Sequence, residues 1–278
     1  MSPTPRPARD DDYEAYARLL PEYAPDDAPL PPARWREELR PGTLVIERDG
    51  AVVGYLFGEV FSRIGYVRQL VVTRSCRRVG LGRTLMHAVA DRFRALGCHT
   101  WCLNLRPQHA ATLAFYEHMG LRVRTRASAF RLDWGDVARL PPSPPCIVTQ
   151  ATAADDADIS AAFGITAAWL AEYRALDART QVVARDDDGR VVGYACFDPS
   201  LPGAFPFRVR ERRHLRALLE AIRDFAHPVD GDLRVVAEDG LDEVQSFLSV
   251  GGERVLEFVH LGGALSATPS AAPAPKPR

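Results

Sequence analysis

The chain has 278 residues, enough for one large domain or two of ordinary size. Hydrophobic residues make up 46% and charged residues 26%, and no apolar run approaches membrane-spanning length, so no membrane partner is expected. Net charge is −1, too near neutral for a nucleic-acid binder, yet residues 1–140 carry 21 arginines against 16 carboxylates.

The opening, Met1 to Asp12, is rich in Pro and Asp and does not read as a signal peptide. Five cysteines (Cys76, Cys98, Cys102, Cys146, Cys196) lack metal-ligand spacing, which fits a reduced, cytoplasmic protein with no metal. Asp11 to Leu20 predicts a first helix, and Ala33 to Leu39 a short second one stopped by Pro41-Gly42. Thr43 to Arg48 and Ala51 to Phe61 predict two strands joined by an Asp49-Gly50 hairpin turn. Ile64 to Thr73 returns as a third. After the loop that follows, Leu81, Leu85, Val89 and Leu96 mark a helix ended by Gly97. A strand at Thr100 to Leu105, a helix at His109 to His118 and a long strand at Leu121 to Leu132 complete the first half.

The loop carries the chemistry. An apolar strand runs into Arg74-Ser75-Cys76-Arg77-Arg78-Val79-Gly80-Leu81-Gly82-Arg83-Thr84. Glycines at a helix start let a ligand approach outward-facing N–H groups at the positive end of the helix dipole. Phosphate is the natural guest, with arginines around it. A Walker loop is excluded, because no lysine is present there, and Leu85 stands where a dinucleotide fingerprint needs its third glycine.

The run Arg77-Arg78-Val79-Gly80-Leu81-Gly82 resembles the acyl-CoA loop, Arg-x-x-Gly-x-Gly, of the GNAT superfamily of acetyl-CoA-dependent N-acetyltransferases. The segment Ala114-Phe115-Tyr116-Glu117-His118-Met119-Gly120-Leu121 is similar to a second motif of that family, and the order of elements over about 45–132 is the family's. The resemblance implies that N–H groups from about Arg78 to Thr84 hold a pyrophosphate, with Arg77, Val79, Gly80, Leu81, Gly82 and Arg83 around it. It further implies that Leu70, Val71 and Val72 line the pantetheine arm, with an N–H near Val71 facing the thioester oxygen, and that Tyr116 is the general acid. Two positions depart from the pattern. His109 replaces an Asn that contacts the cofactor, either as a donor or merely as a helix start. Gln69 replaces a Glu that serves as base, and glutamine cannot accept a proton. Glu59, on the neighbouring strand, is the candidate base; it also reads as an ordinary solvated carboxylate. Asn104 either turns its amide to the cofactor arm or satisfies a sheet edge. The acidic run Asp10-Asp11-Asp12 with Asp26-Asp27 either hints at a cationic acceptor or caps a helix.

Beyond a Pro-rich linker at 138–146 the chain starts again. Val45 to Tyr55 is echoed by Val182 to Tyr194, and Phe115 to Val123 by Phe247 to Val255. The repeat has no glycine in Arg208 to His214, and Leu248 falls opposite Tyr116. This resembles tandem GNAT proteins. The expected fold class is α/β (α+β): two GNAT-like domains, each a mixed, mostly antiparallel twisted sheet flanked by helices. A catalytic domain is expected over 1–137, a degenerate one over 147–265, and a disordered tail over 266–278. The expected activity is acetyl transfer from acetyl-CoA to a small-molecule or peptide amine by direct attack in a ternary complex, in a monomer or homodimer. The alternative is a non-catalytic acyl-CoA sensor or scaffold.

Overall fold

The computed structural model describes residues 3–25, 28–61, 63–107, 110–175, 179–199, 203–226, 231–238 and 242–265. The chain folds into two compact units. One comprises the residues up to Arg124 together with those from His260 onward; the other runs from Thr125 to Val259. The divisions therefore fall at Arg124/Thr125 and Val259/His260, and the Pro-rich 138–146 segment lies inside the second unit. Asp26, Asp27, His109 and the 266–278 tail lie outside the described residues. No helix among the described residues is long and apolar enough to cross a membrane.

In the first unit, β1 (Arg6–Pro7), α1 (Tyr13–Leu19) and α2 (Pro32–Arg34) precede a hairpin of β2 (Thr43–Arg48) and β3 (Ala51–Phe61). The predicted second helix is one turn of α2 continued as a π-helical turn, Trp35–Leu39. Next come β4 (Ile64–Val72), α3 (Leu81–Ala95), β5 (Thr100–Leu105) and α4 (Ala110–His118). The sheet order is β1-β2-β3-β4-β5, antiparallel except for the parallel pair β4–β5. Helix α3 buries Leu81, Leu85, Met86, Val89, Ala90 and Phe93, and Gly97, at φ 79°, stops it. Phe93 lies against Gly65, where an added Cβ would sit 2.2 Å from its ring; glycine there lets α3 settle onto β4.

The second unit holds β6 (Arg122–Asp133, from Thr125 onward), α5 (Trp134–Arg139), β7 (Cys146–Gln150), α6 (Asp156–Phe163) and α7 (Ala167–Arg174). It continues with β8 (Thr180–Asp186), β9 (Val191–Asp198), β10 (Gly203–Val209), α8 (Leu215–Arg223), β11 (Asp232–Glu238) and α9 (Asp242–Ser249). The last strand, β12 (Glu253–Ala264), begins here and ends in the first unit, whose sheet it extends beside β5. In the second unit the order is β6-β11-β10-β9-β8-β7, with β10–β11 parallel and the other pairs antiparallel. The run β8-β9-β10-α8-β11-α9-β12 thus repeats β2-β3-β4-α3-β5-α4-β6. Each unit takes its last strand from the other repeat.

The repeat also corrects one equivalence. The Leu121 N–H donates to the Tyr116 carbonyl at 3.1 Å, and the Gly252 N–H donates to Phe247 at 2.9 Å. Gly120 and Gly251, both at positive φ, follow four residues after each acceptor. Phe247, not Leu248, therefore stands where Tyr116 stands. Phe247 is buried beside Phe130 and Phe207, whereas Leu248 is exposed.

His214, just before α8, is buried, and its Nδ1 has no hydrogen-bond partner among the described residues. Burial, reinforced by Arg213 and opposed by Glu211 and Asp186, holds its pKa below the ordinary value. The unfolded imidazole, at about 6.5, takes its proton first as pH falls. The stability associated with neutral His214 is thus complete above pH ~6.5 and declines below it. We expect the melting temperature to fall more steeply from pH 7 to pH 5 in the native chain than in His214→Leu; parallel curves from calorimetry would refute this.

Candidate active site

Among the described residues, strands β4 and β5 pair only from Ile64↔Thr100 to Val67↔Leu103. Beyond Val67 the β4 edge that faced β5 is open. Opposite, β3 keeps its pairing with β4 but skips Arg68, because Phe57 pairs Gln69 and Gly58 pairs Val67. Such a bulge bends a strand and increases its twist. The Tyr23 hydroxyl donates to the Arg68 carbonyl at the bulge, 3.1 Å. The Thr73 N–H donates to Val53 of β3 at 2.9 Å. Antiparallel alternation then turns the backbone groups of Val71 toward β3 and those of Leu70 and Val72 toward the open edge. The Val71 N–H is thus committed to the sheet.

The loop leaves β4 through a 3-10 turn, Arg74–Cys76. Arg78 has φ 63° and Gly80 φ 93°, and Gly80 is the residue before α3. A Cβ added at Gly80 would meet nothing within 4 Å, and one at Gly82 would meet only the Phe115 ring edge at 3.7 Å and Leu70 at 4.0 Å. Arg77 to Gly80 are exposed. Thr84 makes the first helical bond, to Gly80 at 3.0 Å, so the N–H groups of Leu81, Gly82 and Arg83 have no carbonyl behind them in α3. The arginines divide in role. Arg77 is held by the Val72 carbonyl (2.8 Å) and by Glu22 (2.7 Å), while Arg78 and Arg83 stand exposed.

Tyr116 lies on α4, whose Phe115 ring touches the start of α3. It is 8% exposed. Burial, with a further contribution from Tyr23, pushes its phenol well above the ordinary tyrosine value, so it is a proton donor across the usual pH range.

A cleft of about 700 Å³ opens where β4 leaves β5. Gln69 and Asn104 line it from the two strands, with Arg68, Tyr66 and Tyr23. The Tyr55 hydroxyl donates to Gln69 Oε1 at 3.0 Å; burial pushes that phenol far up, so it is the donor. His260 Nδ1 lies 2.9 Å from Asn104 Oδ1. Glu59 is not among the lining residues. Its carboxylate pairs with Arg68 at 2.5 Å, and the Arg68 guanidinium lies 4.0 Å over the Tyr66 ring. Asp12 is buried and takes two bonds from Arg6 (2.7 and 2.9 Å). Burial raises its pKa, but Arg6 and the Arg9 N–H outweigh this and hold it below the ordinary value. Asp10 pairs with Arg36 and Arg40. Two of the three carboxylates in that run are thus engaged by the domain's own arginines. Among the described residues no group of three or more His, Cys, Asp or Glu side chains gathers as a metal site.

The sequence reading missed the aromatic residues of the cleft, Tyr16, Tyr23, Phe57 and Tyr66, and it missed Tyr55 behind Gln69 and His260 behind Asn104. The tyrosines carried a weak signal in the spacing of Tyr13, Tyr16 and Tyr23 along one helical stretch. His260 carried none, because it belongs by sequence to the other repeat.

Residues 10–121 match the family model described as Acetyltransferase (GNAT) family. The likeness to that family therefore lies in the first half of the chain. A curated relative, an uncharacterized N-acetyltransferase of Methanocaldococcus jannaschii, is 33% identical over 81 residues, which are 29% of this chain and 52% of that protein. The chain thus spans about half the length of this relative. A GCN5-related N-acetyltransferase from Sphaerobacter thermophilus superposes with a TM-score of 0.64 at 17% identity, over 95% of this chain and 96% of that one. A tandem GNAT protein from the clavulanic acid biosynthesis pathway superposes at 0.58 and 18% identity, over 96% and 99%. At these identities the shared property is the fold, a mixed sheet flanked by helices and present twice.

Proposed function

We propose that the first unit transfers an acetyl group from acetyl-CoA to an amine. The observation that carries this reading is the combination of a glycine-bearing helix start, open to solvent, with a strand edge left unpaired beside it. The N–H groups of Leu81, Gly82 and Arg83, with Arg78 and Arg83, suit a diphosphate. The outward backbone groups of Leu70 and the N–H of Val72 suit an extended amide-bearing arm laid along the strand. Acetyl-CoA supplies an activated acyl carbon on a thiol leaving group: the C–N bond of an amide forms, the C–S bond breaks, and one proton passes in balance from nitrogen to sulfur. Tyr116 is the residue for that proton; its buried phenol gives one toward the sulfur and recovers one from the acceptor. Glu59 serves to hold Arg68 at the cleft, a positioning part that its ion pair favours over that of a base. The second unit has no glycine before α8 and has Phe247 in place of Tyr116, so we assign it a structural part. A cytoplasmic location accords with five free cysteines.

Two variants test this reading. Gly82→Val adds a side chain where the protein has room, so it should melt no lower than the native chain yet bind acetyl-CoA at least about tenfold more weakly by calorimetry. Unchanged affinity in that folded variant would remove the loop from the site. Tyr116→Phe should lower kcat by about 100-fold with little change in acetyl-CoA affinity. Because the phenol stays protonated, that deficit should be equal from pH 6 to pH 9. A deficit that vanishes at one end of the range would assign the proton to another group. Tight acetyl-CoA binding with no thiol release on any amine would instead mark a sensor.

A further inference from the structure

We infer that the cleft accepts an amine carried on an apolar body, with a carbonyl or carboxylate oxygen close to the nitrogen that is gripped by the carboxamides of Gln69 and Asn104. This specifies the acceptor and rests on the acetyl-transfer reading above.

The two amides sit just past the last paired residues, Val67 and Leu103, one on each side of the gap between β4 and β5. Each is held from behind by its oxygen, Gln69 by the Tyr55 hydroxyl and Asn104 by the Nδ1–H tautomer of His260. A primary amide so held presents its NH2 group, with two donor hydrogens, on its other side. Both residues line the cleft. Two neutral donors flanking one opening select for an oxygen and offer nothing to an ammonium group. Part of the wall is apolar, formed by Leu20, Leu30, Leu39 and Phe57 with the rings of Tyr16 and Tyr66; the rest is polar. Arg68 is the one side chain with a formal charge among the described lining residues, and it is positive. The apolar part suits a hydrophobic body on the acceptor, and no carboxylate among the described lining residues is there to meet a polycation. A volume of about 700 Å³ suits a small molecule or the end of a peptide. An α-amino acid and its amide share this chemistry, a free carboxylate and a carbonyl being its two sources.

The test uses the full chain, acetyl-CoA and thiol release with four acceptors: phenylalaninamide, phenylalanine, phenethylamine and spermidine. Phenethylamine keeps the ring and the amine but has no oxygen. A site built to hydrogen-bond an oxygen rejects the analogue without it, so phenylalaninamide or phenylalanine should exceed phenethylamine in kcat/KM by about 100-fold or more. The preferred one of the two identifies the oxygen's source. Spermidine should be the poorest. Gln69→Glu keeps an acceptor for Tyr55 but loses the NH2 donors, and Asn104→Asp does the same toward His260. In each, with melting temperature near native, the preference over phenethylamine should fall to about tenfold or less. Phenethylamine or spermidine turned over as well as the amide, or a preference unchanged in both folded variants, overturns the inference while leaving acetyl transfer standing. Thiol release on none of a wider amine panel overturns both.

Discussion

The parting of β4 from β5 is the constraint on which the site depends. Parallel strands share evenly spaced bonds, and abandoning them leaves backbone donors and acceptors on both edges without partners. Such an edge is tolerable when something else satisfies it. Here the Val72 carbonyl is taken by Arg77, and the Arg68 carbonyl at the bulge by Tyr23. Those of Leu70 lie between, on the stretch that the acyl-transfer reading gives to the cofactor arm. The same parting creates the cleft, because the side chains of Gln69 and Asn104 flank a gap instead of packing in a continuous sheet.

The duplication supplies an internal comparison. Both units part their parallel strands early, β10 and β11 pairing only at Gly203↔Arg234 and Ala204↔Val235. In the second unit the surroundings are apolar or closed. Tyr194, the echo of Tyr55, is buried and its hydroxyl has no partner among the described residues. Phe247 packs into the core where Tyr116 carries a hydroxyl. Arg210 is spent on the Val191 carbonyl at 2.7 Å, and the turn Arg212–His214 leads into α8 without a residue at positive φ. One fold thus carries the polar equipment in one copy and lacks it in the other, so the two copies differ in side chains and loop glycines rather than in architecture.

Much of this was legible because it is local. The Asp49-Gly50 turn between alternating runs fixed β2 and β3, and Gly97 fixed the end of α3; both signals operate within a few residues. The loop was legible because backbone geometry demands glycine at Gly80. Three features were not legible, and each depends on distant pairing. The exchange that brings His260 beside Asn104 joins residues 156 apart in sequence, and no propensity records it. The Arg68 bulge is a difference in register between two strands, which neither strand reveals alone. The equivalence of Tyr116 with Phe247 was hidden because a match anchored on Phe115 and Phe247 looks as good as one anchored on the glycines. The glycines decide it, because positive φ at Gly120 and Gly251 fixes where each helix ends.

The short turn Leu20–Glu22 and the residue after it show how the two halves of the site are kept in step. Glu22 receives the Arg77 side chain at 2.7 Å and the Arg74 N–H at 3.4 Å, both in the loop after β4. Tyr23 binds the bulge at Arg68, before the open stretch. A single corner of the chain therefore clamps the open stretch of β4 at both its ends, and Leu20 from the same corner forms part of the cleft wall. An exposed ion pair is worth at most about 1 kcal/mol. The clamp therefore acts by geometry more than by stability: it fixes the distance between the glycine loop and the cleft. Moving this corner would shift both, so the cleft wall and the glycine loop are one mechanical part. Arg77, which the family resemblance places at a phosphate, joins this part through Glu22 and the Val72 carbonyl.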